Sequence, residues 1–79
     1  MMNISNIPPR VSRAEASAYL LAKHGISRTP GTLAKLAVIG GGPAFRKAGI
    51  RRVLYDVAEL DRWAERIISQ PMASTSAAA

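Results

Sequence analysis

Residues 40–56 read GGGPAFRKAGIRRVLYD, three glycines and a proline followed by two apolar-basic runs that a glycine separates. Gly40-Gly41-Gly42-Pro43 cannot continue a helix, so whatever precedes it ends there. The two runs predict short strands at about 44–47 and 52–55 around the turn Ala48-Gly49-Ile50-Arg51, with Phe45, Val53 and Tyr55 turned toward a core. Arg46, Lys47, Arg51 and Arg52 bracket that turn with no anion beside them. A hairpin so charged repels itself, which folding does not explain and an external lattice of phosphates does.

Working outward, the segment before the glycines predicts a short helix. Thr29 is a good N-cap, Pro30 sits at the first helical position where its missing amide costs nothing, and Gly40 terminates. Leu33, Leu36 and Ala37 mark its inward stripe, which leaves Thr32 and Lys35 outward, with Arg28 near the helix start and the small residues Gly31 and Ala34 beside them. Further upstream, Ser12 and Glu15 have capping-box spacing, flanked by Val11 and Ala16 at the positions of a hydrophobic staple. Ala14, Ala18 and Leu21, widened by Leu20 and Ala22, predict the apolar stripe of this first helix, and Gly25 its end. Downstream, Asp56-Val57-Ala58-Glu59 resembles a second capping box. It opens a helix with Val57, Leu60, Trp63, Ala64, Ile67 and Ile68 on one face.

The expected fold is therefore mainly α with a small β-hairpin: helix, turn, helix, two-stranded wing and C-terminal helix, the order of a winged helix-turn-helix. Residues 1–10 are expected to form a flexible arm, 11–69 the folded domain and 70–79 a disordered tail of small residues. A chain of 79 residues buries only about 60–65% of its unfolded surface, and without cysteine it has no disulfide or thiolate site to help it. No signal peptide or membrane-length apolar run is visible, so a cytoplasmic protein without membrane association is expected.

Charge points the same way as the hairpin. Eleven Lys and Arg oppose five Asp and Glu, for a net +6; nine of the cations lie before Tyr55 against the single anion Glu15. A segment this one-sided usually meets a polyanion, most often nucleic acid. In a winged unit the second helix enters the major groove, with its N-terminal residues toward base edges. Arg28, Thr29, Thr32 and Lys35 are then the recognition-helix candidates, Lys35 for guanine or phosphate and Thr32 for a thymine methyl or phosphate. Arg46, Lys47, Arg51 and Arg52 are the wing candidates. If the wing and the recognition helix together neutralise about five phosphates, log K should fall against log salt with a slope near −4 to −5.

Other chemistry is poorly served. The one histidine, His24, lies at a helix end, where a satisfied or exposed side chain is the usual outcome. Asp56, Glu59, Asp61 and Glu65 alternate with Arg62 and Arg66 at i+3 and i+4, the pattern of a solvated helix face. GGGP has no following Lys-Ser/Thr, so it is no phosphate loop. Trp63 could stack on a single-stranded base but fits a core position better. No enzyme, cofactor or metal site is expected.

SRAEASAYL, TPGTLAKL, GGGPAFRKAG, RRVLY and DVAELDRW together resemble the small MerR-like winged helix proteins of the excisionase and AlpA type, over about residues 11–68. The resemblance implies a DNA-binding protein without catalysis. Its recognition helix would be 30–38 and its wing 46–52, and its partners double-stranded DNA and an integrase or recombinase. Such proteins bind and bend attachment-site DNA to direct an integrase toward excision of a mobile element, or act as phage-type transcriptional regulators at promoters. A reading of another class is a protein-interaction module. There the C-terminal third, with net charge −2 from Tyr55 onward, contacts a recombinase or the basic face of the next copy in cooperative self-association on DNA. Two positions depart from the pattern. Ile50 lengthens a turn that commonly runs from glycine straight to arginine, and Asp56 replaces a frequent basic residue, which is expected to improve the helix cap.

Overall fold

In the computed structural model the described residues are 8–68. They form β1 (Arg10–Val11), α1 (Arg13–Tyr19), α2 (Pro30–Ile39), β2 (Arg46–Lys47), β3 (Val53–Asp56) and α3 (Val57–Ile67). The described elements are thus three α-helices and a small antiparallel sheet of order β1-β3-β2. The tail at 70–79 and most of the N-terminal arm lie outside the described residues. Arg10, assigned to the arm from sequence, instead belongs to the sheet: β1 pairs with β3, Arg10 opposite Asp56 and Val11 opposite Tyr55. A two-residue strand has no readable alternation, which is why the pattern alone missed it.

The helix starts follow their caps. The Ser12 hydroxyl accepts from the Glu15 amide at 3.2 Å while the Glu15 carboxylate accepts from the Ser12 amide at 2.9 Å, a complete capping box. Val11 and Ala16 are both buried, as a staple requires. The staple also sets which face of α1 turns inward, and it is not the expected one. Leu20 is buried as expected, but in company with Ala16 and Tyr19, whereas Ala14, Ala18, Leu21 and Ala22 are exposed. The helix is apolar nearly all round, so periodicity leaves the choice of face open. Tyr19 decides it: its ring is buried and its hydroxyl reaches Asp61 of α3.

The last turn of α1 widens into a π-helical turn over Leu20–His24 and stops at Gly25, whose φ of 68° a side chain would disfavour. The following loop is anchored by Ile26, which is buried, and by the Ser17 hydroxyl, which donates to the Arg28 carbonyl at 2.6 Å. At α2, Thr29 caps by accepting from the Thr32 amide at 3.2 Å, Pro30 begins the helix, and Leu33 is buried with Leu36 packed at the core's edge.

β2 and β3 pair with Arg46 opposite Leu54 and Lys47 opposite Val53. Tyr55 is buried, and Phe45 and Val53 pack against the core as expected. α3 adds Leu60, Trp63 and Ala64 to it. Ile67 and Ile68 do not join them: the helix ends at Ile67, the chain turns extended at Ile68, and both side chains are about half exposed.

Two anionic residues behave differently from expectation. Asp56 stands at the N-cap of α3 without capping it through its side chain. Its carboxylate accepts from Arg10 Nε on one oxygen and Arg46 Nε on the other, both at 2.9 Å, and the Val57 amide finds the Pro9 carbonyl instead, at 2.9 Å. Two guanidinium groups outcompete one backbone amide for a carboxylate. Asp61 is likewise no member of a solvated surface ladder. It accepts from the Tyr19 hydroxyl at 2.6 Å and Lys23 Nζ at 3.1 Å, with His24 Nε2 at 2.8 Å. Of the surface pairings expected along α3, Arg62 with Glu59 forms.

Candidate nucleic-acid interface

The eight residues singled out from sequence fall into two groups, one at the start of α2 and one around the β2–β3 turn. At α2, Lys35 is exposed and makes no ion pair among the described residues. Thr32 and Thr29 are exposed, but their hydroxyls are 3.0 Å apart and hydrogen-bonded to each other, so Thr29 is occupied in holding the helix start. Gly31 is exposed and Ala34 half-buried beside them. Arg28 is half-buried, with its guanidinium 6.0 Å above the Trp63 ring centroid and Nη1 donating to the Ser27 carbonyl at 3.0 Å. It is packed on α3 rather than displayed with Lys35.

Trp63 explains how this helix is held. Its ring is nearly buried and its indole N–H donates to the Gly41 carbonyl at 2.9 Å, which pins the loop leaving α2 onto α3. That loop turns on Gly40 and Gly41, with φ of 91° and 93°, and on buried Pro43. Gly42 passes so close to Leu36 that a Cβ there would lie 2.8 Å from Leu36 Cβ. The glycine run is therefore required both for its dihedrals and for close packing.

At the hairpin the four cations divide. Arg46 lies on the same face of the sheet as Asp56, diagonal across the β2–β3 pair, and is bonded to it. The expectation of a hairpin without a neighbouring anion thus fails for Arg46. Lys47, Arg51 and Arg52 are exposed and have no carboxylate partner among the described residues. The turn that presents them is closed by the Ala48 amide, which donates to the Arg52 carbonyl at 2.9 Å, and bends at Gly49 with φ of 95°.

The carboxylates are mostly committed internally: Asp56 to Arg10 and Arg46, Asp61 to the α1 end, Glu59 to Arg62, Glu15 to Ser12. The hydrogen bond from Arg46 holds the Asp56 carboxyl below its usual range, helped by Arg10 and opposed by burial. Burial pushes Asp61 up, but donors from Tyr19, His24 and Lys23 together outweigh it and leave that carboxyl lowered. An open hollow of about 440 Å³ beside β2, lined by Phe45, Arg46, Asp56, Glu59 and Arg62 among others, has its charges paired within it. Among the described residues no three metal-ligating side chains come together, and no helix is long and apolar enough to cross a membrane.

Arg13 is a cation the sequence reading passed over. Its Nε donates to the Tyr55 hydroxyl at 3.1 Å and its guanidinium lies 5.9 Å from that ring's centroid, so it braces α1 against β3. Nothing in spacing alone foretells a pairing across 42 residues. Compared with models of known protein families and with curated proteins, the chain matches none.

Proposed function

We propose that this chain is a winged helix-turn-helix protein that binds double-stranded DNA without catalysis, with α2 as the recognition helix and the β2–β3 hairpin as the wing. The observation that carries this reading is the division of charge. Its carboxylates are drawn mostly into the fold, while Lys47, Arg51 and Arg52 at the turn and Lys35 on α2 are exposed, with no carboxylate partner among the described residues. Such a surface gains little from folding and much from phosphates.

The particular role we propose is that of an excisionase, which binds and bends attachment-site DNA beside an integrase. It rests on the resemblance carried by SRAEASAYL, TPGTLAKL, GGGPAFRKAG, RRVLY and DVAELDRW. A promoter-bound regulator would use the same surface.

The first test is a salt titration of binding to duplex DNA. With Arg46 held by Asp56, four contacts remain, and log K should fall against log salt with a slope of about −3 to −4. A slope near zero, or no binding at low salt, would sink the reading. A nuclease footprint then separates the two roles. Several in-line sites filling cooperatively with periodic hypersensitive cuts support the excisionase; one short unbent site over a promoter supports the regulator.

A further inference from the structure

At the hairpin tip, the apolar side chain of Ile50 is fully solvent-exposed, at 101% of its reference area, the highest value among the large apolar residues described. Turn tips are ordinarily built from Gly, Asn, Asp or Ser, whose backbone preferences or side-chain hydrogen bonds favour the bend. Isoleucine contributes neither, and here it contributes no packing. What surrounds it is charge: Lys47 on β2, Arg51 next to it in the tip and Arg52 just before β3, all exposed. The last backbone hydrogen bond of the hairpin is that from Ala48 to Arg52, so Gly49, Ile50 and Arg51 alone project beyond it.

Resting on the DNA-binding reading, we propose that Ile50 is a wedge that enters the minor groove and partly unstacks one base step, while Lys47, Arg51 and Arg52 hold the phosphates along the groove's rims. The dimensions fit: the minor groove is about 6 Å wide, too narrow for a two-stranded ribbon laid flat but open to a three-residue tip. The chemistry fits as well. Apolar wedges are the recurring device for prising apart a base step, and flexible pyrimidine–purine steps yield most readily. A β-branched side chain has few rotamers to lose when it is wedged. Exposed in the free protein and covered in the complex, Ile50 would gain on binding what it forgoes on folding.

The test uses the full chain and a duplex of about 30 base pairs with 2-aminopurine in a central TATA tract and dyes at its ends. Wild-type protein should raise the 2-aminopurine fluorescence several-fold and shorten the end-to-end distance. Ile50→Ala should abolish the fluorescence rise and weaken binding by roughly tenfold, with the salt slope unchanged because no cation is removed. Ile50→Leu should restore the signal. Salt-dependent binding with a fluorescence rise indifferent to Ile50→Ala, or with no rise at all, overturns the wedge alone. Absence of any wild-type binding at low salt overturns the DNA reading and the wedge with it. Binding to phosphatidylserine vesicles that Ile50→Ala abolishes, with no 2-aminopurine response, overturns the wedge in favour of a membrane contact. Because Ile50 touches nothing, thermal melts of both variants should match the wild type, so a folding defect cannot imitate the expected result.

Discussion

The Tyr19 hydroxyl donates to Asp61 at 2.6 Å, joining the first helix to the last across 42 residues of sequence. Lys23 and His24, from the π-helical turn that follows Tyr19, converge on the same carboxylate. In a core this small, one acceptor serving three donors fixes how α1 and α3 meet. Asp61→Ala should therefore cost about 2–3 kcal/mol and Tyr19→Phe about 1–2 kcal/mol, since bonds to a charged acceptor exceed neutral ones. The double variant should lose less than the sum, because both changes remove the same bond. Urea denaturation reads all three as shifts in midpoint at constant slope; strict additivity would show that the bond carries no stability.

The same carboxylate sets a dependence on acid. Asp61, Asp56 and Glu15 all have carboxyls lowered on folding, Glu15 through the Ser12 amide and hydroxyl. A lowered folded value means that the unfolded chain takes up protons first as pH falls. The stabilisation is complete above the ordinary carboxylate range, near pH 4, and is lost as pH drops through the folded values. The melting temperature should fall steeply as pH drops below about 4. Asp61→Asn should flatten part of that fall; an unchanged acid limb would show that Asp61 titrates alike in both states.

Asp56 and Asp61 also mark where the sequence was legible and where it was not. The caps of α1 and α2, the terminators and the hairpin turn were readable because each depends on residues within about four positions of one another: Ser12 with Glu15, Thr29 with Thr32, Ala48 with Arg52, Gly25, Gly40. Asp56 and Asp61 were misread as local because their spacing along α3 suits a surface ladder, while their actual partners come from 10 to 46 residues away. The face of α1 was misread for a related reason: with alanines and leucines all round, only the packing of Tyr19 and Leu20 against other elements decides it. Of the candidate interface, Lys35, Lys47, Arg51 and Arg52 could be named from sequence because exposed cations need no partner to be found. Arg46 and Arg28 look the same in sequence and differ only through Asp56 and Trp63.

That difference predicts opposite behaviour for neighbouring arginines. Arg51→Ala with Arg52→Ala should flatten the salt slope of DNA binding by about 2 and leave stability within about 0.5 kcal/mol. Arg46→Ala should do the reverse, lowering stability by about 0.5–1 kcal/mol as an exposed ion pair within a three-membered network and changing the slope by well under one. Parallel salt titrations and denaturation curves separate them. Equal slope changes for Arg46 and Arg51 would mean that Arg46 leaves Asp56 for a phosphate in the complex.

Two glycines on either side of Lys35 should respond to alanine with opposite signs. At Gly42 a Cβ would sit 2.8 Å from Leu36 Cβ, an atom fixed to the backbone of α2, so the helix or the loop must shift. Gly42→Ala should therefore cost about 1–3 kcal/mol. At Gly31, within the first turn of α2, the nearest atom to a new Cβ is Thr29 Oγ1 at 3.9 Å, ordinary contact. Gly31→Ala should stabilise the protein by about 0.5–1 kcal/mol through helix propensity and a less flexible unfolded chain. If α2 lies in the major groove, the added methyl stands between helix backbone and DNA. The more stable variant should then bind more weakly, with the salt slope unchanged because no charge is altered. Gly31→Ala that gains stability and keeps its affinity would place the first turn of α2 away from the DNA and leave the hairpin as the principal contact.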